Sequence, residues 1–219
     1  MLAGAMLVGG PVTFLLAQAP FIEAGGLTMA LALTPVVVAV ASAALSRGQT
    51  EDVAGRLWPG LAAVAGLLLV LVTPGLGNVR TDVVFALTPL LTGIGAALFC
   101  AQDAGESGDG RRMYWALVGA AMLFAAGVVV QWVFAERPSL SVIAVAWDGV
   151  LALLSVLALS RLGATRWAAQ FVLLPLLVLM QGIVLLRPPI TVRLGCGLAL
   201  LAVASVYLLL PREDDVASR

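Results

Sequence analysis

The sequence predicts an all-α protein, a polytopic membrane helix bundle of about eight transmembrane helices that carries an incomplete inverted repeat. Three observations lead there. First, 62% of the 219 residues are hydrophobic and only 11% are charged, with a mean hydropathy of +1.09. That leaves too little polar surface to cover a water-soluble globule. Second, the apolar runs are about 17–22 residues long, the length of a membrane-crossing helix and roughly twice that of a barrel strand. In lipid, helices and closed barrels are the only spanning structures, so the run length decides for helices. Third, a proline frame occurs twice, as Leu33-Thr34-Pro35 with Arg47 and as Leu173-Leu174-Pro175 with Arg187.

Taken in order, the spans fall at 1–19, 24–46, 57–74, 80–101, 113–134, 140–161, 166–186 and 190–210. The first begins at Met1 without a polar lead, whereas membrane helices normally have flanking anchors. This reads as a chain whose beginning is missing. Ala17-Gln18-Ala19 fits a signal-peptidase pattern, but residues 1–12 hold no positive charge, so a retained span is expected. The longest polar stretch, Gln102 to Arg112, reads as a hinge; its Asp103, Glu106 and Asp109 would repel phosphate. The tail Arg212-Glu213-Asp214-Asp215 reads as a solvated terminus. Trp58, Trp115 and Trp167 fall near span ends and read as interface anchors.

Arginine sets the orientation, because the 12 basic residues include no lysine. Arg47, Arg56, Arg111, Arg112, Arg161, Arg166, Arg212 and Arg219 fall on one side. Arg80, Arg137, Arg187 and Arg193 fall on the other. The richer side is cytoplasmic by the positive-inside rule, which places both termini in the cytoplasm. Cys100 and Cys196 lie in or beside apolar helices and read as small hydrophobes. With no histidine and the acids nearly all in loops, neither a metal site nor a cofactor site nor a His-dependent catalytic group is expected. Gly195 and Gly197 are too short a motif for a nucleotide loop, and no nucleic-acid partner is indicated.

The two proline frames lie an odd number of spans apart, so they cross in opposite directions. That is the trace of an inverted-topology repeat, a common plan of secondary transporters. Aligning 31–47 with 171–187 gives the identities Leu33/Leu173, Pro35/Pro175, Val38/Val178, Leu45/Leu185 and Arg47/Arg187. A rival comparison matches as well, because Ala86-Leu87-Thr88-Pro89 repeats Ala32-Leu33-Thr34-Pro35 letter for letter. Pro89 reads as an ordinary helix kink satisfied by neighbours. Pro35 and Pro175 kink their helices too, and they free the carbonyls of Leu31 and Phe171.

Two stretches carry a family resemblance. One is Ala24-Gly25-Gly26-Leu27-Thr28-Met29-Ala30-Leu31-Ala32-Leu33-Thr34-Pro35-Val36-Val37-Val38-Ala39. The other runs from Ala158-Leu159-Ser160-Arg161-Leu162-Gly163-Ala164-Thr165-Arg166 through Leu173-Leu174-Pro175-Leu176-Leu177 to Gly195-Cys196-Gly197-Leu198-Ala199-Leu200-Leu201. Together they resemble the EamA family of the drug/metabolite transporter superfamily, whose members have ten helices in two five-helix inverted repeats. The resemblance implies that residues 1–74 are a partial first repeat, similar to family helices three to five. Residues 75–219 would be a second repeat, similar to helices six to ten. The first two family helices have no counterpart, and Arg47 and Arg187 stand where the family often has an acid.

Asp148, in Ala146-Trp147-Asp148-Gly149, is the one carboxylate well inside an apolar span. A central Asp costs about 2.5–3.5 kcal/mol on insertion, against roughly 0.3–0.6 returned by each Leu or Ile. It is therefore expected in the bundle interior or a wet cavity, as a proton or cation site or as a neutral structural Asp. Gln131 precedes Trp132 near the end of span five. Gln170 and Gln181 flank Pro175 on one helical face, and serve as interhelical glue or as substrate contacts. Asp148, Trp147, Gln131, Gln170 and Gln181 are thus the candidates for substrate binding or coupling.

The leading reading is an EamA-like secondary transporter, or a fragment of one. It would move a small organic metabolite across a bacterial inner membrane by alternating access. The alternative is a non-transporting membrane scaffold or accessory subunit, which the absent helices favour. Dimer formation would be one way to restore the bundle. An intramembrane enzyme is poorly supported by a lone carboxylate without a paired acid or histidine.

Overall fold

The computed structural model describes residues 1–16, 30–45, 53–70, 79–102, 108–134, 142–186 and 191–210. These form eight helices, and among the described residues there is no strand. They are α1 (Leu2–Leu16), α2 (Thr34–Leu45), α3 (Val53–Val70), α4 (Val79–Ala101), α5 (Gly108–Phe134), α6 (Val142–Ala168), α7 (Gln170–Leu186) and α8 (Val192–Leu209). Each expected span overlaps a helix, and 166–186 takes in the end of α6 as well as α7. Three stretches are long and apolar enough to cross a membrane: Gly110–Val129, Gly149–Ala168 and Val192–Leu209. The other described helices have shorter apolar portions, such as Leu57–Val70 and Gln170–Leu185.

Only 17% of the windows in α5 and α6 is buried by the rest of the chain. Large apolar side chains such as Met122, Val129, Leu154, Val178 and Leu185 therefore lie on the outside. Such a surface is stable only against an apolar solvent or an apolar partner.

Glycine and alanine set how the helices approach. α1 lies along α4 and α5. A Cβ on Gly95 would run into the backbone of α1 at Leu7, and one on Gly4 or Gly119 into the facing backbone at Ala116 or Met1. These contacts let helix backbones touch, as small residues do in membrane bundles. α3 and α8 cross through a reciprocal pair. A Cβ on Gly66 would sit 2.9 Å from the Gly197 carbonyl oxygen, and one on Gly197 would sit 2.8 Å from the Gly66 oxygen.

Among the described residues three packed clusters result, two of them large. Ala3, Leu7, Ala96, Phe99, Ala116, Val156, Leu159 and Trp167 join α1, α4, α5 and α6. Ala62, Leu67, Val172, Leu201 and Leu208 join α3, α7 and α8.

Two arginines tie helix ends together. Arg193, in the first turn of α8, donates to Leu69 O at 2.6 Å (Nε) and Leu68 O at 3.2 Å (Nη2). It satisfies the last carbonyls of α3 and sits at the negative end of its dipole. Arg112, in α5, donates from Nη1 to Phe99 O at 3.5 Å and Gln102 O at 3.1 Å, with its guanidinium 4.7 Å from the Phe99 ring centroid. This contact explains one difference from the sequence expectation. The hinge was expected to run to Arg112, whereas α5 is helical from Gly108, so Arg112 lies inside a helix and reaches back to α4.

The second difference lies between spans six and seven. A loop was expected over 162–165, and the chain breaks only at Gly163 (φ 76°, ψ 166°) before resuming a helix to Ala168. No other residue type adopts that backbone cheaply. One glycine thus does the work expected of a loop.

Candidate functional site

Two helices are interrupted by the same hydrogen-bond pattern. At the start of α2, the Leu33 N–H donates to Ala30 O at 3.1 Å. The N–H groups of Val36 and Val37 then both donate to Leu33 O at 3.1 Å. Between α6 and α7, the Ala169 N–H donates to Arg166 O at 3.1 Å. The N–H groups of Val172 and Leu173 then donate to Ala169 O at 3.0 and 2.9 Å. In each case one residue closes a tight three-residue turn behind it and starts a new helix ahead of it. Leu33 stands two residues before Pro35, where the ring removes a donor. Ala169 stands six residues before Pro175, so that proline is not what breaks the chain there. Pro35, Pro89 and Pro175 are all buried.

The second interruption lies beside a half-open cavity of about 460 Å³ lined by α1, α4, α5, α6 and α7. That volume lies within the range of small-molecule sites, about 300–1,000 Å³. Leu7, Val8, Phe124, Leu154, Phe171 and Leu174 make most of it apolar, and Thr92, Ser155, Trp167 and Gln170 are the lining residues that carry side-chain polar atoms. Among the described residues its lining carries no charge. Trp167 is 2% exposed and meets Phe171 edge to face, with ring centroids 5.1 Å apart and planes at 82°. Among the described residues its indole Nε1 has no hydrogen-bond partner, and neither has Thr92 Oγ1, in a residue 1% exposed. A threonine in a helix ordinarily bonds back to the preceding turn. Ser205 does so, donating to Leu201 O at 2.8 Å.

Of the five polar and aromatic candidates, Gln170 lines this cavity. Gln181 is exposed further along α7 and is not part of the lining. Their shared face therefore turns from the cavity at Gln170 to the outer surface at Leu177 and Gln181. Gln131 lies in α5 and Trp147 and Asp148 in α6, but the side chains of all three lie outside the described residues. Asp148 stands one and two helical turns before Ala152 and Ser155, both in the cavity wall.

Trp167 corrects the interface-anchor reading. Trp167 lies four residues after the break at Gly163, and its ring is packed in the core. Trp58, 65% exposed, and Trp115, 41% exposed and edge to face with Tyr114, keep the outward positions such anchors have. Thr92 and Ser155 were not singled out in the sequence, and Trp167 was singled out only as an interface anchor. For Thr92 a signal was present: it lies three residues after Pro89 in the repeated ALTP frame, where the matching position, Val38, is apolar.

Cys100 and Cys196 are free thiols, and no cluster of potential metal ligands occurs among the described residues. No family model matches the chain, and neither a curated protein nor a solved structure matches it.

Proposed function

We propose that this protein is a membrane-embedded secondary transporter, or part of one, similar to the EamA family. It carries a small organic molecule through the cavity bounded by Trp167, Gln170, Thr92 and Ser155 by alternating access. The observation that carries this reading is an apolar cavity with a few polar atoms, walled by an interrupted helix. Interrupted helices at corresponding places in two halves are the usual marker of a transporter's binding site. The matching turns at Leu33 and Ala169 support an inverted repeat, although they fall four positions apart in the frame that aligns Pro35 with Pro175. Arg193 supports the eight-span threading, because it holds the end of α3 and the start of α8 at the same end of the bundle, as alternate crossings require. In this reading both termini are cytoplasmic, the membrane is a bacterial inner membrane, and Asp148 is the coupling carboxylate.

The test is flux into proteoliposomes over a panel of small organic solutes, with and without a pH gradient. At least one solute is expected to accumulate saturably. Asp148→Asn should preserve folding and abolish the proton-driven part of the flux, while Gln170→Leu should raise the half-saturating concentration. A well-folded protein with no flux for any solute would instead make it a scaffold or accessory subunit.

A further inference from the structure

The cavity is half-open, and the position of its mouth decides what reaches it. The exposed members of its lining are Leu151 and Leu154 on α6 and Leu174 on α7. The other lining residues, among them Leu7, Val8, Phe124 and Phe171, are buried or half-buried. We propose that the cavity opens between α6 and α7 into the bilayer, and that the hydrocarbon chain of a membrane lipid occupies it. This rests on the proposed function only for the membrane around these helices.

Depth is the first support. Leu151, Leu154, Ser155 and Ala158 lie in the membrane-length stretch Gly149–Ala168, and Phe124 lies in Gly110–Val129. Both stretches are long enough to cross the hydrocarbon layer, so the cavity lies level with lipid chains. Continuity is the second. One helical turn beyond Leu174, Leu177 and Val178 are exposed on the same side of α7, and Leu153 is exposed beside Leu154 on α6. The mouth is thus part of an apolar outer surface that is stable only against an apolar solvent or partner.

The lining supplies the third support, by what it suits. Among its described residues there is no charge, and most are apolar. Thr92 Oγ1 and Trp167 Nε1 are buried atoms that present almost no surface to an occupant. That leaves Ser155 and Gln170 as the lining residues with other side-chain polar groups. Water holds in a cavity only where several polar partners surround it. An empty void forfeits the dispersion contacts of its walls. A charged headgroup would lose its hydration without an opposite charge in return. A hydrocarbon chain carries none of these costs, and at the mouth it is the surrounding solvent. A cavity of about 460 Å³ takes part of one chain, while the headgroup and any second chain stay outside. In the transporter reading, a solute then comes to this site sideways from the bilayer and brings an apolar part that replaces the chain.

The test uses phosphatidylcholine with an alkyl diazirine in one acyl chain, mixed into phosphatidylcholine nanodiscs that hold the full chain. Irradiation turns the diazirine into a carbene that inserts into whatever it touches, and peptide mass spectrometry maps the adducts. Adducts are expected at the inner residues Val8, Phe124 and Ala158 as well as at the outer residues Val178 and Leu185. Ser155→Phe places a ring in the cavity and should abolish the inner adducts while the outer ones persist, which also shows that the variant is folded. Should that variant not fold, Ser155→Leu serves in its place. Leu177→Phe, the same ring on the outer face, should leave all the adducts as they were. In a separate protein carrying Cys100→Ala, Cys196→Ala and Ser155→Cys, the water-soluble 2-sulfonatoethyl methanethiosulfonate should leave the single thiol unmodified in nanodiscs and modify it fully in SDS. Outer adducts without inner ones, inner adducts that survive Ser155→Phe, or rapid modification of that thiol in nanodiscs each overturn the lipid chain as occupant and leave the transporter reading to the flux assay. Absence of the outer adducts as well removes the membrane from around these helices, and both readings fall together.

Discussion

The turns at Leu33 and Ala169 share a hydrogen-bond pattern but not their surroundings. After Leu33 the chain is clamped from two sides. A Cβ on Gly60 of α3 would lie 2.6 Å from Val36 Cγ2, and one on Gly93 of α4 would lie 2.7 Å from Val37 Cγ1. Ala30, Ala32, Thr34 and Val38 are completely or almost completely buried. After Ala169 only one side is enclosed, with Val172 and Pro175 buried, while Leu174, Leu177, Val178, Met180, Val184 and Leu185 face outward. The first turn is held by its neighbours. The second is set by Gly163 upstream and leaves α7 bare along much of its length. A repeated local geometry thus serves two roles, a fixed strut at α2 and an outer wall at α7.

The largest expected effect comes from breaking the clamp. Gly93→Ala places a methyl 2.7–2.8 Å from the Val37 side chain and 3.3 Å from Val38 N. Val37 is β-branched and cannot rotate away in a helix. Overpacking of this kind should cost about 2–3 kcal/mol, read as an earlier midpoint in SDS-titration unfolding from mixed micelles. A neutral result would mean that α2 moves freely between α3 and α4, and the contrast with α7 would disappear.

Gly163→Ala tests the other turn by a different route. Nothing lies within 4 Å of an added Cβ there, so space is not the issue. The backbone is: φ 76° and ψ 166° are essentially reserved for glycine. The expected cost is about 1–2 kcal/mol from conformation alone. Because Trp167 is placed by this break, its environment should shift as well, visible as a change in the tryptophan emission spectrum. A variant with unchanged stability and emission would show that the turn at Ala169 forms without help from Gly163.

These contrasts mark what could be read in the chain beforehand. Helix number and approximate bounds were legible because run length and hydropathy respond to the membrane, which acts on every residue alike. The helix break near 162–165 was legible too, as a gap between two apolar runs flanked by Arg161 and Arg166. The position of the second interruption was not. Pro175 is a conspicuous breaker, yet the chain turns at Ala169, an ordinary helix former packed against α3 and α8 six residues after the break at Gly163. The cavity was half legible. Gln170 stood out as an amide in an apolar helix, whereas Thr92 and Ser155 are ordinary in such helices and are marked only by their place in the lining.

The smallest effect is expected at Gly182, in the outward part of α7. It has open space around its Cβ position and a helical backbone, so it differs from Gly93 in packing and from Gly163 in conformation. Gly182→Ala should change stability by no more than about 0.5 kcal/mol, the range for substitutions away from packed or strained sites. In a single copy of the chain this face has only lipid against it, and lipid rearranges around a methyl group at little cost. If Gly182→Ala instead lowered stability as much as Gly93→Ala, with an effect that faded on dilution into lipid, another helix would have to press on α7. The exposed Val178, Val184 and Leu185 would then mark a contact between two copies, and the outer wall would become a second strut.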